Sequence, residues 1–137
     1  MTNHDRADRL MLDADAIADE MRQAIDGRRW NLAARRAQEV VELVVKGLLS
    51  EMGVDYPRTH DPAPILIEEL RRRSLVGDPM GLDWLSRASS RLASLRGPAF
   101  YQEIEVHEAE AREAADAAGR ARALATDLLA RLRKPSR

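Results

Sequence analysis

The chain of 137 residues carries 22 Lys and Arg against 23 Asp and Glu, which gives a formal net charge of -1. That balance excludes a general electrostatic attraction to nucleic acid or to an anionic membrane, although it leaves room for a local basic patch. Hydrophobic residues make up 45% and aromatic residues 4% of the sequence, as is typical of helices packed through aliphatic side chains. The length suits one domain over residues 1–137, with a core over about 7–132.

Cysteine is absent, so disulfides and thiolate metal sites are excluded. The first residues are polar, unlike a signal peptide, and no apolar run approaches the roughly 20 residues that cross a bilayer. We therefore expect a soluble, cytoplasmic protein with no membrane partner. No pattern in the sequence predicts a metal site or a cofactor.

Two amphipathic helices open the chain. In the first, apolar residues recur at alternating steps of three and four from Ala7 to Ala24, and Gly27 is a candidate C-terminal cap. The second begins near Asn31, a favourable N-cap residue, and ends near Gly53. Its apolar stripe is wider than that of the first helix, which predicts burial on two sides and a central position in the fold.

Three further helices follow. Asp61-Pro62 and Asp78-Pro79 each place an N-cap residue before a proline at the first helical position, and they open a short third helix and a longer fourth. Gly97-Pro98 is expected to interrupt the fourth helix, because proline disfavours the helical conformation of the residue before it. A last helix carries small and apolar residues over 111–132, and we expect the tail from Lys134 to be frayed. The prediction is an all-α, up-and-down antiparallel helical bundle of four principal helices plus one short helix.

Three short elements in this order suggest a family. They are 37–49 (AQEVVELVVKGLL), 56–61 (YPRTHD) followed by Leu66 and Leu70, and 96–101 (RGPAFY). Together they resemble the HEPN domain family (higher eukaryotes and prokaryotes nucleotide-binding), and the similarity extends over nearly the whole chain. The resemblance implies a helical module, often a homodimer, that accompanies a minimal nucleotidyltransferase in a toxin–antitoxin or defence-type pair.

HEPN proteins that cut RNA share an Arg that is followed, after four to six residues, by a His. The Arg stabilises phosphate charge and the His acts in the cleavage. Neither His60 nor His107 has an Arg at that distance before it, and His4 is too near the start. Arg96 occupies a suitable place for the Arg, but Tyr101 stands five residues later. Because a phenol is a poor general base at neutral pH, we expect a module that lacks RNase catalysis.

Five residues are candidate ligand or phosphate contacts, namely Lys46, Arg58, His60, Arg96 and Tyr101. Lys46 follows Glu42 at helical spacing, and because its neighbours are apolar we expect this pair to be partly buried and to contact Arg96 or Tyr101. Structural roles remain open as alternatives. Arg96 and Tyr101 would pin the join between two helices by a hydrogen bond, and His60 would fix its own loop.

Two other functions also remain open. One is an RNase toxin that cleaves RNA with Arg96 and Tyr101, and with help from His60, across a dimer. The other is a nucleotide-binding module with a pocket lined by Lys46, Arg96 and Tyr101. A basic patch formed by 28–29, 35–36 and 71–73 would favour an RNA or nucleotide partner, provided that the third helix packs near the start of the second.

Overall fold

The computed structural model describes residues 1–134 and folds them into five α-helices. They are α1 (Asn3–Asp26), α2 (Trp30–Glu51), α3 (Ala63–Arg72), α4 (Pro79–Phe100) and α5 (Glu108–Leu132). No strand occurs in this part of the chain, so the predicted all-α bundle is confirmed. Residues 135–137, which belong to the tail predicted to be frayed, lie outside the described part. Over 1–134 no helix is both long enough and apolar enough to span a membrane.

Helix α2 is the central helix, as its wide apolar stripe predicts. It packs against each of the other four helices, most extensively against α1 and α5. Val40, Val45, Leu48 and Leu49 are fully buried along it. Gly47 brings α1 close, since a Cβ at that position would lie 2.9 Å from the terminal methyl carbon of Met11. The burial of α2 leaves only a narrow strip of this helix for polar side chains.

The start of α2 differs from the prediction. Its N-cap is Arg29, which makes no capping hydrogen bond through its side chain, whereas Asn31 lies inside the first turn. The Asn31 amide instead donates to the Ile104 carbonyl at 2.9 Å and accepts from the Val106 N–H at 2.8 Å. The predicted N-cap role is therefore wrong, because the connection between α4 and α5 supplies better partners for this amide than its own helix does.

The two Asp-Pro pairs have different outcomes. Asp78 caps α4 as predicted and accepts from the Gly81 N–H at 2.9 Å. Asp61 does not cap α3, whose N-cap is Pro62. The Asp61 carboxylate instead accepts a hydrogen bond of 2.6 Å from the Ser89 hydroxyl. That bond ties the loop between α2 and α3 to the middle of α4.

Helix α4 is not interrupted at Gly97-Pro98 but continues to Phe100. Pro98 falls in the last turn of the helix, where its missing N–H removes a single intrahelical hydrogen bond. Gly97 has no Cβ for the proline ring to meet, which relieves the clash that usually ends a helix before proline. Arg96 is consequently held on a continuous helix that packs against α2.

Candidate functional site

A group of polar side chains lies where α2, α4 and the loop before α3 meet. We call it the α2 polar cluster, and it consists of Gln38, Glu39, Glu42, Lys46, His60 and Arg96. Three of the five predicted contact residues belong to it. The family-like elements of the sequence, although far apart in the chain, are therefore brought together in space.

Gln38 lies at the centre of the α2 polar cluster and is only 1% exposed. Its Nε2 donates to the main-chain oxygen of His60 and to Oε1 of Glu42, each at 3.0 Å. Its Oε1 accepts from Nη1 of Arg96 at 3.2 Å. Both ends of this buried amide are thus satisfied, as burial of a polar group requires.

Glu42 joins two of the predicted residues. Its Oε2 lies 2.7 Å from Nζ of Lys46, and its Oε1 lies 2.7 Å from Nδ1 of His60. Burial by itself raises the pKa of the Glu42 carboxyl, but the hydrogen bonds from Lys46, Gln38 and His60 outweigh it and lower that pKa. The expected partial burial of the Glu42–Lys46 pair is confirmed.

The expected partners of Lys46 are wrong. Its ammonium group pairs with Glu42 and lies 5.6 Å from the centre of the Tyr56 ring, rather than against Arg96 or Tyr101. The reason is the position of the loop before α3, which brings Tyr56 and His60 over this part of α2. Glu42 and Arg96 are linked only indirectly, through the Gln38 amide.

Arg96 has a second acceptor that the sequence did not reveal. Its Nη1 lies 3.3 Å from Oε1 of Glu39, and the same oxygen lies 2.8 Å from Nη1 of Arg36. Arg36 also approaches Oε2 of Glu20 at 3.7 Å. The only local signal was the spacing of three between Arg36 and Glu39, which predicts a helical ion pair but says nothing of Arg96.

Tyr101 lies apart from the α2 polar cluster. It follows the last residue of α4 and is 71% exposed, and its ring meets that of Phe100 edge-on with centroids 5.0 Å apart. No hydrogen bond joins Arg96 to Tyr101 within residues 1–134. The join between α4 and α5 is pinned by Asn31 instead, so that structural role was predicted for the wrong residues.

Arg58 is exposed in the loop between α2 and α3, two residues before His60, and forms no ion pair with the residues that the structure describes.

The arginine groups 28–29, 35–36 and 71–73 do not come together in space. Arg73 donates to the Met52 carbonyl at 2.9 Å, at the end of α2. Arg28 and Arg36 lie near its start, and α2 is 22 residues long, or about 33 Å. The condition for a single basic patch is therefore not met, because α3 runs towards the other end of α2 instead of packing near its start.

The five-helix bundle and the three ordered elements of the sequence together indicate one class of helical domain. The family model of the HEPN domain matches residues 7–128. The chain therefore belongs to the HEPN family, and the resemblance seen in the sequence is confirmed. The crystal structure of an archaeal HEPN homologue is similar with a TM-score of 0.68 at 21% sequence identity, covering 90% of this chain and 98% of that chain. This likeness supports the fold. No curated protein matches the sequence.

The charged side chains of the α2 polar cluster are paired with one another, and this pairing limits the reactions in which they can take part. Every carboxylate in it touches at least one cation, and the Arg96 guanidinium is engaged by two acceptors.

The other two histidines lie elsewhere in the fold. His4 lies beside Glu51 and Asp8, and His107 is the N-cap of α5. Neither of them belongs to the α2 polar cluster. Within residues 1–134 no group of three or more His, Asp and Glu is arranged to hold a metal ion.

Proposed function

We propose that this chain is a HEPN module that lacks RNase catalysis. The observation that carries the proposal is the pairing of Arg96, which the resemblance puts in a suitable place for the arginine of the family's RNases. Its guanidinium is paired with Gln38 and Glu39 in the free chain, and a phenol rather than an imidazole stands five residues later. Transition-state stabilisation needs a positive group aimed at the phosphate, and cleavage needs a base of suitable pKa.

The proposal includes partners. A homodimer and a complex with a minimal nucleotidyltransferase, in a toxin–antitoxin or defence-type pair, are what HEPN membership suggests. Support comes from the apolar side chains at the end of α4 and after it, since Phe100, Tyr101 and Ile104 are 52%, 71% and 40% exposed. Neighbouring exposed apolar side chains are typical of protein interaction surfaces.

The first experiment incubates the purified chain with single-stranded and structured RNA in the presence of a chelator. We expect no cleavage above that of the Arg96→Ala variant. Robust metal-independent cleavage by the wild type that disappears in Arg96→Ala would overturn the proposal.

The second experiment addresses the partner. We expect the gene beside this one to encode a minimal nucleotidyltransferase whose product co-purifies with the chain. Substitution of Phe100 and Ile104 by Ser should weaken that complex, whereas substitution of the exposed Leu12 on α1 should not. A neighbouring nucleotidyltransferase that does not bind would contradict the pairing.

A second candidate function is an RNase toxin that uses Arg96 and Tyr101 across a dimer. One observation favours it, because Gln38 joins Arg96 to the main chain of His60 and so brings a histidine close to that arginine. Expression of such a toxin would arrest growth, and Arg96→Ala, Tyr101→Phe or His60→Ala would relieve the arrest. Equal growth of wild type and variants would count against it.

The nucleotide-binding alternative has less support. Tyr101 lies near Asn31, whose amide contacts the flanking Ala99 and Gln102, whereas Lys46 is 15 residues further along α2. That spacing separates the two side chains by roughly 22 Å along the helix. Calorimetry with ATP that shows neither heat nor stabilisation of the fold would eliminate this alternative.

A further inference from the structure

The Glu39 carboxylate lies between two guanidinium groups. Arg36 Nη1 lies 2.8 and 3.1 Å from its two oxygens, and Arg96 Nη1 approaches Oε1 at 3.3 Å. Arginine side chains are over-represented where proteins bind a carboxylate or a phosphate, and here each guanidinium contacts the anion through Nη1. Glu39 therefore occupies the position that an anionic ligand of these two arginines would take.

We infer that Arg36 and Arg96 form a binding site for a phosphoryl group, and that Glu39 closes this site in the free chain. The inference deepens the proposed function, on which it rests only in giving Arg96 no part in cleavage. Glu39 acts as an internal competitor, because it lies one turn from Arg36 on the same helix and its carboxylate contacts both cations in the free chain.

Two features indicate a preorganised binding site rather than a surface ion pair. The first is the orientation of Arg96, since its Nη1 donates at 3.2 Å to the buried Gln38 amide, which is itself held by Glu42 and by the main chain of His60. The second is access from solvent. The side chains of Arg36, Glu39 and Arg96 are 25%, 22% and 29% exposed, so a ligand can reach them without unfolding the helix.

The surrounding charges favour an anion once Glu39 withdraws. Glu20 is the other carboxylate near Arg36, but it lies at 3.7 Å and is half exposed. Glu42 is neutralised by Lys46 at 2.7 Å. A phosphoryl group offers three acceptor oxygens and more negative charge than a carboxylate, which suits a site that has two guanidinium groups.

The test compares binding of inorganic pyrophosphate to the full chain and to Glu39→Gln by calorimetry at low ionic strength. Glutamine keeps the shape of the side chain and removes its charge. We expect binding to tighten about tenfold or more, the change that one additional charge-assisted hydrogen bond produces. The double variant Glu39→Gln with Arg96→Ala should lose the gain.

The matched control is Glu113→Gln, which removes the same charge from an exposed pair with Arg91. The inference would be overturned if Glu39→Gln bound neither pyrophosphate nor a short single-stranded oligoribonucleotide more tightly than this control, or if the gain survived Arg96→Ala. A parallel titration with a short single-stranded oligoribonucleotide separates two sources of the phosphoryl group. A gain for both probes supports a site for free phosphate anions, and a gain for the oligonucleotide alone supports a site for the RNA backbone.

Folding of Glu39→Gln is checked by its thermal unfolding curve. If that variant does not fold, Glu39→Asp shortens the side chain, retains the charge and should give a smaller gain that again requires Arg96; its absence would overturn the inference. Because the readout is binding and not cleavage, a failure here leaves the proposed non-catalytic function intact. Conversely, RNA cleavage by the wild type would overturn that function without affecting the binding comparison.

Discussion

At the scale of single residues, the buried Gln38 amide connects three parts of the chain. It contacts Glu42 on its own helix, the main chain of His60 in the following loop and Arg96 on α4. An apolar residue of similar size would remove the donor to the main-chain oxygen of His60 and one partner each from Glu42 and Arg96. An unsatisfied buried polar group is more costly than the lost bond itself.

We therefore expect Gln38→Leu to lower the free energy of unfolding by about 2 kcal/mol or more, as measured by urea denaturation. Gln23→Leu, on the exposed side of α1, serves as the control and should change it by less than about 0.5 kcal/mol. Similar values for the two variants would show that the α2 polar cluster does not depend on this amide.

The pKa of Glu42 predicts how the stability of the fold changes at acidic pH. Its pKa is lower in the folded chain than the usual 4.5, so the folded state holds the carboxylate charged more strongly than the unfolded state does. The resulting stabilisation is complete above the unfolded value and is lost as pH falls through the folded one. Glu42→Gln should therefore flatten the dependence of the melting temperature on pH below about 4.5. The control is the exposed Glu113→Gln. If the melting temperature of Glu42→Gln depended on pH as steeply as that of the wild type, the prediction would be contradicted.

At the scale of helices, the ends of the elements depended on contacts that local sequence does not encode. Asn31 and Asp61 are both favourable N-cap residues, yet each binds a distant segment and neither caps a helix. Among residues 1–134 Asp78 has no such competing partner, and it caps α4 as its sequence predicts. Capping preferences thus decide a helix start only where tertiary packing offers the side chain nothing better.

Asn31→Ala is expected to loosen the connection between α4 and α5. The variant removes the acceptor of the Val106 N–H and the donor to the Ile104 carbonyl, and we expect a loss of about 1–3 kcal/mol in unfolding free energy. Hydrogen exchange at Val106 should accelerate more than exchange in the middle of α2. Uniform acceleration across the chain would instead indicate a global effect with no special role for this amide.

At the scale of the whole molecule, two helical glycines differ in their surroundings. Gly47 faces Met11 and the main chain of Ala7 across the contact between α1 and α2, whereas a Cβ at Gly119 would meet nothing within 4 Å. We expect Gly47→Leu to destabilise the fold by about 1–3 kcal/mol through overpacking, and Gly119→Ala to stabilise it by about 0.5–1 kcal/mol. Thermal unfolding measures both, and a neutral Gly47→Leu would show that α1 is not closely packed on α2.

The sequence by itself determined the helices, the central place of α2 and the family, because apolar periodicity and ordered motifs are local properties of the chain. It also established that no histidine stands at the required distance after an arginine. Only the tertiary structure decided which side chains surround Arg96. Gln38 and Glu39 lie 58 and 57 residues away from it in the chain, and no local spacing relates them. The packing of an unbroken α4 against α2 brings these side chains together, and it leaves Tyr101 at the exposed end of the helix instead of beside Arg96.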